Sequence, residues 1–115
     1  MTSDRMRRVN EAVREVLSAA ITTELKDPRV GFVTVTSVET SADLRHARVY
    51  VSVLGNPGER RRTLKALDSA HGFLQRQVAG ELRLKHTPTL EFAYDDSIDR
   101  GFRIDELLER EAGKE

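Results

Sequence analysis

The sequence predicts an α+β domain of order α-β-β-α-kink-α-β, with helices on one face of a three-stranded mixed sheet. Three observations carry that reading. Apolar residues recur at helical spacing in long stretches, they alternate with period two in three short ones, and turn-forming residues divide the stretches. The chain has 115 residues, which suits one domain with a modest core.

Ser3 or Asp4 can cap a first helix that runs to about Leu25. Its apolar stripe is Val9, Val13, Val16, Leu17, Ala20, Ile21 and Leu25. Arg5, Arg7, Arg8 and Arg14 cluster at its start. Cations oppose the helix dipole there, so they are placed for something besides helix stability, unless they only snorkel over the core edge. Pro28 ends the helix, because the residue before a proline is pushed out of helical geometry.

Phe32 to Val38 is β-branched and alternating, which marks a strand. Thr40-Ser41-Ala42-Asp43 reads as a turn. Arg45 to Leu54 is a second strand, with Ala47, Val49, Val51 and Val53 inward and Arg48, Tyr50 and Ser52 outward. The two form a hairpin. Leu90, Phe92 and Tyr94 alternate in a third strand. The expected core joins Val33, Val35, Val49, Val51, Val53 and Phe92 to the helix faces of Val13, Leu17, Leu67, Leu74 and Val78.

Between the second and third strands, Asn56 to Lys85 reads as one long helix. Asn56 suits the N-cap, Pro57 the first helical position and Glu59 the reciprocal capping position. Thr87-Pro88 stops it. Its apolar face is Leu64, Leu67, Leu74, Val78 and Leu82, yet Ala70-His71-Gly72 interrupts the middle. A glycine there costs about 1 kcal/mol relative to alanine. It is either a bland bend or packing site, or a kink that lets another backbone approach closely. Arg60, Arg61, Arg62, Lys65, Arg76, Arg83 and Lys85 surround it, which makes an RNA phosphate backbone the natural candidate. After the third strand, Ser97 can cap a last helix carrying Ile98, Ile104, Leu107 and Leu108, weakened by Gly101. The expected division is a binding domain over 1–96 and a short acidic helix and tail over 97–115, frayed from Arg110 onward.

The formal net charge is zero, but the charge is uneven. Residues 1–90 hold 15 Lys and Arg against 10 Asp and Glu, and residues 91–115 hold 4 against 9. A basic body with an acidic tail is one reading, and a surface on which the signs intermix is the other. The absence of cysteine excludes disulfides and thiolate metal sites. With no apolar signal run at the N-terminus and no bilayer-length apolar stretch, a soluble cytoplasmic protein without membrane contact is expected.

Catalytic patterns are missing. His46, His71 and His86 are scattered, with no ligand partner at helical spacing. Asp95, Asp96 and Asp99 lack the glycine and distal glutamate of a calcium loop, so Asp96 and Ser97 are read as helix caps. There is no Gly-x-Ser-x-Gly elbow and no Gly-rich loop ending in Lys-Ser/Thr. A non-enzyme with no cofactor and no metal is expected. Gly55-Asn56-Pro57-Gly58 matches the G-x-x-G string of KH domains, but it joins a strand to a helix and Pro57 removes an N–H donor. It is read as a capping turn.

Several fragments, in order, resemble the bacterial ribosome-binding factor A family. They are Lys26-Asp27-Pro28-Arg29-Val30-Gly31, Ser41-Ala42-Asp43-Leu44, Ala47-Arg48-Val49-Tyr50-Val51, the run from Leu82 to Phe92, and Tyr94-Asp95-Asp96-Ser97. Ala70-His71-Gly72 resembles that family's interhelical Ala-x-Gly kink, which stands where an ordinary KH domain has G-x-x-G. The resemblance covers roughly residues 5–108. It implies a type II KH-like fold and binding of the free 30S small subunit and its 16S ribosomal RNA. It also implies support of late 30S maturation, including 16S 5′-end processing, and of cold adaptation, with release helped in some bacteria by a GTPase. The chain is shorter at its C-terminus than longer members. On this reading Arg5, Arg7, Arg8, Arg60, Arg61, Arg62, Lys65, Arg76, Arg83 and Lys85 are RNA contacts of a monomer. The alternative is a small α+β module that binds protein, its basic residues merely solvated. An acylphosphatase-like enzyme would need an Arg/Asn site, and none can be located.

Overall fold

In the computed structural model, which describes residues 4–97, the order is α1 (Asp4–Thr23), β1 (Val33–Thr40), β2 (His46–Val53), α2 (Pro57–Ser69), α3 (His71–Glu81) and β3 (Thr89–Tyr94). The sheet order is β1-β2-β3, antiparallel between the first two and parallel between the last two. This is the expected α+β, KH-like arrangement. The predicted C-terminal helix, with Ile98, Ile104, Leu107 and Leu108, lies outside the described residues.

The core follows from the two periodicities. Val35, Val38, Ala47, Val49, Val51, Val53 and Leu90 point from the sheet toward Val13, Leu17, Ala20 and Ile21 of α1 and Leu67, Leu74 and Val78 of the other helices. Burying each leucine contributes about 1.5–3 kcal/mol. Val33 and Phe92, both expected in the core, are half-buried against its edge. A β-bulge at Thr36 explains why strict alternation fails along β1: Val35 pairs with Val51 but Ser37 with Tyr50. The extra residue returns Val38 and Thr40 to the core face.

Several ends differ from the periodicity reading. Helix α1 stops at Thr23 rather than Leu25, with the N–H groups of Glu24 and Leu25 both donating to Ala20 O. Strand β1 continues to Thr40, while Phe32 lies before it. Strand β2 omits Arg45 and Leu54. Helix α3 ends at Glu81, not Lys85: Leu82 is extended, φ −116° and ψ 134°. The parallel pairing of β3 is the cause. Thr89 must begin beside His46, so the chain after α3 has to run back extended to reach that row.

Turn chemistry holds the connections. Gly55 has φ +145°, a conformation glycine adopts without strain, and leads into the cap where Asn56 Oδ1 accepts from Glu59 N at 2.8 Å. In the hairpin, Asp43 Oδ1 accepts from Ser41 Oγ at 2.6 Å and from Arg45 N at 3.0 Å. Between them Leu44 takes φ 59°.

Candidate nucleic-acid interface

The long helix is broken at Ala70, two residues before the glycine that flagged it. Ala70 has φ −92° and ψ 6°, outside helical values, and its N–H is shared between Ala66 O at 3.0 Å and Leu67 O at 3.1 Å. Leu74 N then donates to Ala70 O at 3.0 Å, which starts α3. Gly72 is inside α3 with no positive φ. The break thus falls on the first residue of the expected kink segment Ala70-His71-Gly72, and not on its glycine. The helix is interrupted at Ala70, where the packing partners change: α3 packs mainly on α1 and also on β3, α2 mainly on β3. A Cβ built on Gly72 would meet only Arg76 Nη1, at 3.6 Å.

His71 Nδ1 lies 2.7 Å from Asp68 O. A carbonyl only accepts, so Nδ1 carries the hydrogen and Nε2 is left for a partner. His71, Gly72, Gln75, Arg76, Ala79 and Thr87 line an open depression of about 350 Å³. A second depression, about 400 Å³, is lined by Arg45, His46, His86, Thr87 and Thr89. Thr87 belongs to both, so the surfaces are continuous. His46 and His86 line one of these depressions and His71 the adjoining one. Arg45, His46, His86 and Thr87 were missed because parallel pairing of His46 with Thr89 brings them together, and no local pattern encodes that.

The other predicted contacts divide between places. Arg76 joins the kink depression. Arg83 and Lys85 are exposed on the extended return segment rather than on a helix. Asn10 Oδ1 accepts from Thr40 N at 3.0 Å, which ties the start of α1 to the hairpin end. Exposed Arg5, Arg7 and Arg8 are thus near the sheet end that carries Arg45. Arg60, Arg61 and Arg62 are at the far end of α2, about 12–15 Å along the axis from Ala70 at 1.5 Å per residue. Arg60 is half-buried with its guanidinium 4.7 Å from the Tyr94 ring centroid, a cation–π contact. Arg61 and Arg62 are exposed, as is Lys65 about one turn on.

Charge is partly intermixed. Arg7 pairs with Asp4 at 2.6 Å, Arg29 with Asp27 at 2.7 Å, Arg48 with Glu91 at 4.0 Å, and Arg14 with Glu11. Hydrogen bonds from Arg14 and Arg29 hold the Glu11 and Asp27 carboxyls below their usual range. Exposed pairs of this kind contribute little to stability. Among the described residues, no ion pair involves Arg61, Arg62, Lys65, Arg76, Arg83 or Lys85. No three metal-capable side chains gather among the described residues.

This geometry and its sequence have known counterparts. The family model described as ribosome-binding factor A matches residues 5–108. A ribosome-binding factor A of Halothermothrix orenii is 44% identical over 110 residues, covering 96% of this chain and 90% of that relative. The crystal structure of ribosome-binding factor A from Thermus thermophilus superposes with a TM-score of 0.70 at 28% identity, covering 77% of this chain and 94% of that one. A Thermus thermophilus ribosome-binding factor A homology model, fitted into a cryo-EM map of its 30S complex, gives 0.59 at 28% identity over 84% of this chain and 97% of that one. With this match across nearly its whole length and the same fold, the chain belongs to the ribosome-binding factor A family.

Proposed function

We propose that this chain is a non-enzymatic assembly factor that binds the free 30S subunit through 16S ribosomal RNA. It supports late 30S maturation, including 16S 5′-end processing, and growth in the cold. It acts in the cytoplasm as a monomer and leaves with the help of a ribosome-associated GTPase. The observation that carries this reading is the open depression at the helix break, lined by His71 and an Arg76 in no ion pair among the described residues and joined through Thr87 to one lined by Arg45, His46 and His86, in a chain of this family. The Thermus thermophilus relative fitted into a 30S map supports it. Such a surface meets phosphates, and phosphate contacts position a protein without reading sequence. No helix among the described residues is long and apolar enough to cross a membrane.

Sedimentation of a cell lysate on a sucrose gradient tests the reading. The protein is expected with free 30S particles and not with intact ribosomes. Recovery only at the top of the gradient, with RNA binding insensitive to salt, would instead favour the protein-binding module. Mapping 16S 5′ ends in a strain lacking the protein tests the maturation role, with unprocessed ends expected to accumulate most in the cold.

A further inference from the structure

Among the described residues, Phe32 and Leu54 are the large apolar side chains left exposed, at 81% and 75%. Scattered singly such residues are ordinary. These two are neighbours: Leu54 N donates to Phe32 O at 3.1 Å, one step beyond the Val33–Val53 pair. Opposed residues of an antiparallel pair share a face.

The surroundings are cationic. A hollow of about 170 Å³ beside Leu54 is lined by Pro28, Arg29, Gly31, Glu59, Arg62 and Thr63. A Cβ on Gly58 would stand 3.7 Å from Arg62 Nη1 and 3.8 Å from Arg61 Nη2, so two guanidinium heads converge over that glycine. Arg29 is committed to Asp27. Among the described residues, Arg61 and Arg62 are in no ion pair. The Glu59 carboxylate reaches the near edge of this hollow, its Oε2 2.8 Å from where a Cβ on Gly55 would be, while the two guanidinium heads stand over Gly58. This patch is at the open end of the β1–β2 hairpin, opposite the turn that carries Arg45.

We infer that Phe32 and Leu54, with Arg61 and Arg62, form a second RNA contact, on which an unpaired base stacks while the guanidinium groups hold its phosphates. An exposed aromatic and aliphatic pair beside two cations in no ion pair among the described residues has the chemistry of one nucleotide: a base with a π-face and a phosphate next to it. The inference rests on the RNA-binding reading proposed above and adds a site remote from the helix break. Two contacts joined by one rigid sheet bind more tightly than either alone.

The test uses the full chain and two labelled 12-mers, oligoadenylate and an abasic oligonucleotide of equal charge, with 30S co-sedimentation in parallel. Wild type is expected to prefer oligoadenylate by roughly fivefold or more. Phe32→Ala should abolish that preference without weakening abasic binding or changing the melting temperature. Phe32→Trp should keep it. Arg61→Gln with Arg62→Gln should weaken both probes alike and flatten the salt slope. Undiminished oligoadenylate preference in Phe32→Ala would overturn the inference, as would a wild type that binds 30S particles without preferring oligoadenylate. Loss of 30S binding in Phe32→Ala with the oligoadenylate preference intact would assign the patch to a protein neighbour and overturn stacking. A wild type that binds neither 30S particles nor oligonucleotides would bring down the RNA-binding reading itself.

Discussion

Gly72 is the residue whose role the geometry changes most. It has ordinary helical backbone, and its missing Cβ leaves room on the floor of a depression beside Arg76 and Thr87. Gly72→Ala is therefore expected to raise the unfolding free energy by up to about 1 kcal/mol, read by urea denaturation. The added methyl should at the same time weaken 30S binding by keeping a sugar-phosphate off the main chain. A variant unchanged in both would make the glycine incidental. Arg60 shows the opposite case. The sequence groups it with Arg61 and Arg62, but consecutive helical residues point about 100° apart, and Arg60 is stacked on Tyr94. Neutralising all three together would mix a lost packing contact with lost phosphate contacts.

At the scale of elements, the hairpin turn has a signature in acid. The Ser41 hydroxyl, then the Arg45 N–H, hold the Asp43 carboxyl below its usual range. A depressed carboxyl contributes stability that is present above its unfolded pKa, about 4, and is lost as pH falls through the folded value. Asp43→Asn should make the stability curve shallower below about pH 4, measured by denaturant titration at several pH values. The flattening is partial, because Glu11 and Asp27 titrate in the same direction. The elements themselves were legible in the chain. Val13, Leu17 and Ile21 at helical spacing, and Val49, Val51 and Val53 at period two, can bury one face in only one way. Their ends were less so. Where α3 stops is decided by where β3 must start, and the Thr36 bulge by how β1 meets β2, and both are tertiary demands. The site was half legible for the same reason. Gly72 marked the helix break to within two residues, while the Arg45–His46–His86 surface depends on a strand pairing that no local pattern displays.

The whole molecule shares one core, so a cavity anywhere in it is felt everywhere. Leu74 is fully buried between α1 and the sheet. Leu74→Ala should cost about 2–5 kcal/mol and lower a single cooperative transition rather than split it, as seen by urea unfolding with two spectroscopic probes. Asp95 N donates to Val51 O at 2.7 Å, and its carboxylate lies 2.6 Å from Thr36 Oγ1, so the end of β3 is tied to both other strands. That strand is also the one with the farthest partner in sequence. Residues 54–88 must close as a loop before Thr89 can meet His46. Loop closure is entropically unfavourable and is repaid only when the pairing forms, so the parallel strand is expected to lock after the hairpin in the order of folding. During synthesis, the N-terminal helix and hairpin therefore emerge before the helices and strand that complete their core, which stays partly open until the crossover is complete. A member of the ribosome-binding factor A family thus leaves the ribosome as a chain whose core closes late.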